Sequence, residues 1–144
     1  FLGVYRLAAR WARGTADTYV SAAFIGDWFA PALLPIAAGY HLAHFLGYFV
    51  TLAPALGAVL TSPFAAPADL VLVVLPGWFG GLQIAFVVLG HLVAVWVAHS
   101  LAFELFPGRL QPIRSQYPFI LVMVLYTMTS MWILSQPYAP VATL

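Results

Sequence analysis

The sequence predicts an all-α fold: an integral membrane helical bundle with three transmembrane helices and an N-terminal interfacial amphipathic helix. Three observations predict it. Hydrophobic residues fill 64% of the 144 positions and charged residues 6%, where a soluble domain carries about 25% charged residues. Several apolar runs exceed the ~20 residues a helix needs to cross a bilayer. All 5 basic residues are arginines that sit outside those runs.

The chain begins with FLGVYRLAARWARG, in which Arg6, Arg10 and Arg13 recur at helical spacing and share one face, while Leu2, Leu7 and Trp11 lie largely away from it. This pattern reads as a basic interfacial helix with a tryptophan at headgroup level, or as the cytoplasmic end of an earlier span. The arginines interrupt any apolar core, so no signal peptide is read here. Asp17 and Asp27 are candidate helix N-caps. The first span covers about residues 28–50, with Pro31 in its first turn and Pro35 expected to bend it.

Residues 51–77 carry Pro54, Pro63, Pro67 and Pro76, so they are expected to form a long apolar loop with at most a short helix at 54–60. Asp69 reads as a loop charge. The second span covers about 78–106 and stops at Pro107-Gly108. The third covers about 115–136, with Ser115 as N-cap candidate and Pro118 in its first turn. One transmembrane domain over 1–144 is therefore expected, with 107–114 as the cytoplasmic loop. Three spans put every arginine on one side of the bilayer. The positive-inside rule makes that side cytoplasmic, with the N-terminus inside and the 51–77 loop and the C-terminus outside.

The 4 histidines fall inside two of the expected spans: His41 and His44 in the first, His91 and His99 in the second. Ionisable groups at membrane depth are expensive and usually face a bundle interior, a cavity or a ligand. Both spans carry small residues at four-residue spacing (Gly39, Ala43, Gly47; Gly90, Ala94, Ala98), a pattern that lets helices pack closely. His44, His91 and His99 each directly follow a seam residue, about 100° around the helix. At 1.5 Å per residue, His41 and His44 lie roughly 20–24 Å from Trp28, and His91 about 20 Å from Trp78. These depths let His41, His44 and His91 share a site, with His99 about 12 Å further along its helix and separate.

Neutral imidazole is a common metal ligand and axial haem ligand. His41, His44, His91 and His99 are accordingly the candidate cofactor-binding residues. Two spans giving one histidine each could sandwich a haem b, while His41, His44 and His91 could hold copper or zinc. Two stacked haems would need histidines about 13–14 residues apart on one face. The spacings here are 3 and 8. Met123, Met128 and Met131 could add thioethers for Cu(I), though such a stripe also serves packing. The same histidines with Glu104, and Thr127, Ser130 and Gln136 on the third span, could instead line a proton or cation path. A third reading makes them interhelical hydrogen-bonding residues in a structural subunit.

No cysteine is present, which removes thiolate ligands and cysteine nucleophiles. No hydrolytic or nucleotide-binding motif occurs. The formal charge of +1, without a basic patch interleaved with aromatics, gives no nucleic-acid footprint. Trp11, Trp28 and Trp78 read as interfacial anchors, and Trp96 and Trp132 as packing residues.

The strings PIAAGYHLAHFLGYF, GHLVAVWVAH and SQYPFILVMVLYTMTSMWILSQP resemble the C-terminal part of a group of uncharacterised polytopic prokaryotic membrane proteins. The resemblance covers about residues 28–137. It implies a prokaryotic cytoplasmic membrane and a chain truncated or split from a longer one, and it brings no activity with it. The expected function is a subunit or fragment of a larger membrane complex whose histidines bind a haem or metal ion for electron transfer. Its expected partners are the lipid bilayer and other membrane subunits. A proton- or cation-translocating module and a purely structural subunit are the alternatives.

Overall fold

A computed structural model describes residues 2–65 and 71–135 of the chain. Asp69 and Gln136 lie outside these residues, as do the side chains of Ser130 and Met131. Among the described residues, five α-helices and one 3-10 turn follow in order: α1 (Leu2–Thr15), α2 (Ala22–Phe29), the 3-10 turn Ala30–Ala32, α3 (Leu33–Thr61), α4 (Phe79–Leu105) and α5 (Gln111–Ser135). Two helical stretches, Ala22–Thr61 and Phe79–Leu105, are long and apolar enough to cross a membrane, and only 11% of each apolar window is buried by the chain itself. A core helix of a soluble protein would have its apolar faces covered, because burial is what stabilises it.

Three boundaries differ from the sequence expectation. A 3-10 turn, Ala30–Ala32, carries Pro31, and Pro35 falls in the first turn of α3, where proline is tolerated. Helix α3 does not stop at residue 50 but runs through Pro54 to Thr61, which shortens the expected 51–77 loop. Proline lacks the N–H that would bond four residues back, and its ring disturbs the neighbouring carbonyls. The carbonyl four residues before Pro54 is Val50 O; its neighbour Thr51 O accepts the Val73 N–H at 3.1 Å, which ties the segment after the helix to α3. Finally, α5 begins at Gln111, not Ser115. Ser115 is buried within the helix and donates back to Pro112 O at 2.8 Å. Pro118 therefore sits inside α5, where it leaves Arg114 O without its helical donor. Thr15 Oγ1 of α1 donates to that carbonyl at 3.0 Å.

The chain divides into two compact units, Phe1–Ala30 with Ala98–Leu144, and Pro31–Val97. In the first, α1 packs on α2 and α5. Its contact face is made of Ala8, Ala9, Ala12 and the following Ala16, all nearly fully buried, so the backbones approach closely. Arg6, Arg10 and Arg13 stay exposed on another side. The expected aspartate caps are not used as caps. Asp17 instead terminates α1 at φ 48°, with its N–H on Gly14 O at 3.3 Å and the Thr18 N–H on Arg13 O at 3.5 Å. This is a Schellman arrangement, in which a left-handed residue ends the helix and satisfies its last carbonyls. Ser21 caps α2, its Oγ accepting the Phe24 N–H at 3.2 Å, and Asp27 lies within that helix. Ala12, Ala16, Ile25, Phe29, Ala102 and Phe106 form the core of the unit. Phe119 packs against it, stacked on Phe29 at 5.0 Å. Trp28, expected as an interfacial anchor, turns its indole N–H onto Leu101 O at 3.0 Å.

In the second unit α3 and α4 meet backbone to backbone. Gly39, Ala43 and Gly47 form the buried side of α3, and Gly90 and Ala94 are buried on α4. A methyl group on Gly39 would fall 2.5 Å from Phe86 O, and one on Gly90 would fall 2.6 Å from Pro35 O. Only hydrogen fits at either point. Beside the crossing, Gln83 Nε2 donates to Ala43 O at 2.7 Å, so a polar side chain on one helix grips a carbonyl of the other.

Gly39→Ala or Gly90→Ala should separate the helices and lower thermal stability in detergent by ~1–3 kcal/mol, the usual cost of overpacking. Gly57→Ala, where nothing lies within 4 Å, should be neutral or stabilise by up to about 1 kcal/mol through helix propensity. Equal loss in all three variants would show that the crossing is not the reason.

Tyr5 supplies a pH dependence in the other unit. Its hydroxyl donates to Gly26 O at 2.7 Å. Burial first, and the Asp27 charge second, push its pKa from 10.0 up to about 12. The folded pKa lies above the unfolded one, so this contribution to stability is whole below pH 10.0 and is lost as pH rises through about 12. Alkaline unfolding of Tyr5→Phe should lack this component of the decline, while its stability at neutral pH falls by ~1 kcal/mol for the lost hydrogen bond.

Candidate functional site

The histidine side chains are set by ordinary helix geometry. A long side chain on a helix leans back over the preceding turn. In α3 this brings His41 Nδ1 to 2.7 Å from Ala37 O, and in α4 it brings His91 Nδ1 to 2.7 Å from Val87 O. A carbonyl can only accept, so both Nδ1 atoms carry the proton. The lone pair of each ring is then on Nε2.

Rotation about α3 separates its two histidines. His44 follows the seam residue Ala43 by about 100° and is half-buried, as is His91 beside Gly90. His41 lies two residues beyond Gly39, about 200° around, and is exposed on the side away from α4. Aromatic rings flank this outer face. Tyr40 stacks on His44 with centroids 5.1 Å apart, and Phe45 lies 5.5 Å from His41 and 5.9 Å from His44. Tyr48, one turn after His44, is also exposed. The result is an apolar strip with two imidazoles in it.

The set His41, His44 and His91 is not gathered around one point. Among the described residues, no group of three histidine, cysteine, aspartate or glutamate side chains is placed to hold a metal ion. The reason is the close crossing: Gly39 and Gly90 bring the backbones together, and His41 projects from the far side of its helix. The same contact leaves no gap between the two backbones at the level of Gly39 and Gly90.

His99 belongs to the other unit. Its ring lies 4.7 Å from Phe103, and its Nδ1 is 3.3 Å from both amide atoms of Gln116. Gln116 is 6% exposed and its Nε2 also donates to Pro112 O at 2.9 Å. Sequence reasoning passed over Gln116, as it did Gln83. The available signal was the same for both: an amide in the first two turns of an apolar helix, where an unsatisfied polar group is costly. Glu104 is exposed, and Thr127 Oγ1 bonds back to Met123 O at 2.8 Å.

No known protein family, curated protein or solved structure matches the chain.

The tautomers are directly measurable. Nitrogen-15 spectra of the detergent-solubilised protein should show His41 and His91 protonated at Nδ1. Ala37 and Val87 carbonyls can act only as acceptors, so an Nε2-protonated neutral form at either site would contradict the geometry.

Proposed function

We propose that this chain is a subunit or fragment of a larger membrane complex, and that His41 ligates a haem b or a transition metal ion for electron transfer. The observation that carries the reading is the orientation of His41. Its Nδ1–H is held by a carbonyl of its own helix, and its Nε2 is left for a ligand on an exposed aromatic face. Ligating histidines usually donate their second ring nitrogen in this way, which holds the ring and raises its basicity. An exposed imidazole on a helix long and apolar enough to cross a membrane also needs a partner, because a bare polar group in hydrocarbon costs several kcal/mol. Tyr40, His44 and Phe45 would line one side of the ligand. His41 would supply one ligand to the group, and another helix of the complex would supply the rest.

The membrane arrangement belongs to the same proposal. Helix α5 would be the third span, with the arginines of α1 and of residues 107–114 on the cytoplasmic side and the C-terminus outside. Thr15 of α1 bonds to Arg114 O, which supports a common side for these two arginine-bearing segments. The group bound at His41 would supply the redox chemistry, while the chain would hold it and exclude water.

The test is an absorption spectrum of the purified full chain, oxidised and reduced, with elemental analysis for iron, copper and zinc. A chromophore or metal should be present in stoichiometric amount, fall at least about tenfold in His41→Ala, as loss of a ligand requires, and persist in His99→Ala. A colourless, metal-free protein overturns the reading. Proton or cation flux in liposomes would then identify a translocating module, and its absence a structural subunit.

A further inference from the structure

The structure assigns a second site, independent of the histidines: Arg6, Arg10 and Arg13 of α1, bordered by Leu7 and Trp11, bind the phosphate headgroups of anionic phospholipid. All three arginines are exposed. They have no carboxylate or other side-chain partner among the described residues, and Asp17, four residues beyond Arg13, is turned into the helix stop without pairing to them. Three unpaired guanidinium groups on one helical face are a cationic surface without its counter-charge. Guanidinium is also the group whose planar fork fits phosphate oxygens bidentately, and the chain has no lysine.

The neighbouring side of the helix says which phosphate. Leu7 directly follows Arg6, and Trp11 directly follows Arg10, so each apolar group lies about 100° from an arginine. Leu7 is 61% and Trp11 51% exposed. A soluble phosphate would make no use of this apolar strip. A lipid surface would, with the acyl region taking Leu7 and Trp11 and the headgroup layer taking the arginines. The third side of α1, formed by Ala8, Ala9, Ala12 and the following Ala16, is occupied by α2 and α5. The helix is therefore held in place by protein, and its arginines are presented rather than free to fold onto other groups.

The test is native mass spectrometry of the full chain in detergent, titrated with phosphatidylglycerol and, separately, phosphatidylcholine. The wild-type chain should retain phosphatidylglycerol preferentially. The preference should fall about fivefold for each arginine replaced, and R6Q/R10Q/R13Q should abolish it. The double variant R109Q/R114Q should keep it. No preference in the wild-type chain overturns the proposal. So does equal loss in R109Q/R114Q, which would mean net charge alone, or displacement by excess inorganic phosphate, which would mean a soluble anion site. Helicity by circular dichroism checks each variant. Should the triple variant unfold, the wild-type chain still decides, because retention must weaken as sodium chloride is raised.

Discussion

The contact between Gly39 and Gly90 is the constraint on which the arrangement of α3 and α4 depends. Apolar helices in an apolar solvent gain little from hiding hydrophobic surface from each other, so association rests on dispersion contact and interhelical hydrogen bonds. Both need the backbones to approach. With hydrogen in place of a side chain at each point, Phe86 O and Pro35 O come within a distance that a methyl group would forbid. The Gln83 bond to Ala43 O follows from the same approach, since a short amide side chain reaches the facing carbonyl only across a close seam. The contact also decides what cannot happen there, because nothing larger than hydrogen fits where Gly39 and Gly90 meet the facing backbone.

Two prolines show how the remaining backbone is satisfied. Pro54 and Pro118 both lie inside helices, where each removes a donor and disturbs the carbonyls before it. In each case a neighbouring carbonyl is met from outside its helix: Thr51 O by the Val73 N–H, and Arg114 O by the Thr15 hydroxyl. Pro118 thus frees the acceptor that ties α1 to α5, while beside Pro54 a loop N–H bonds a carbonyl of α3. In one unit this fixes the segment after the helix. In the other it sets where α1 sits, and with it where the arginine face of α1 is displayed.

Helix geometry then distributes the histidines. The residue next to a seam is turned partly aside, which leaves His44 and His91 half-buried, and the residue two places on is turned outward, which leaves His41 exposed. Back-bonding to Ala37 O and Val87 O places the Nδ1 proton of His41 and His91 on their own helices. The site proposed at His41 is therefore a surface strip of α3 completed by another helix, and not an enclosed cavity. The lipid surface proposed for α1 is likewise an unfinished face. Both fit a chain whose apolar helices are left largely uncovered by its own fold.

Composition and pattern by themselves determined the helical class, the course of α4 to within a residue at each end, and the small-residue seams with the imidazoles beside them. Apolar content, the four-residue spacing of Gly39, Ala43 and Gly47, and the stop at Pro107-Gly108 are local properties, readable without a partner. What a proline does depends on whether a donor lies nearby, so only the tertiary structure decided that α3 continues through Pro54 and that α5 starts before Ser115. The use of Ser21 as a cap, and of Asp17 as a left-handed stop, likewise rested on where α1 and α2 pack. The separation of His41 from His91 was decided by the backbone contact between their helices. Sequence spacing gives depth along a helix and angle around it, but the direction in which the neighbouring helix lies is set only by packing.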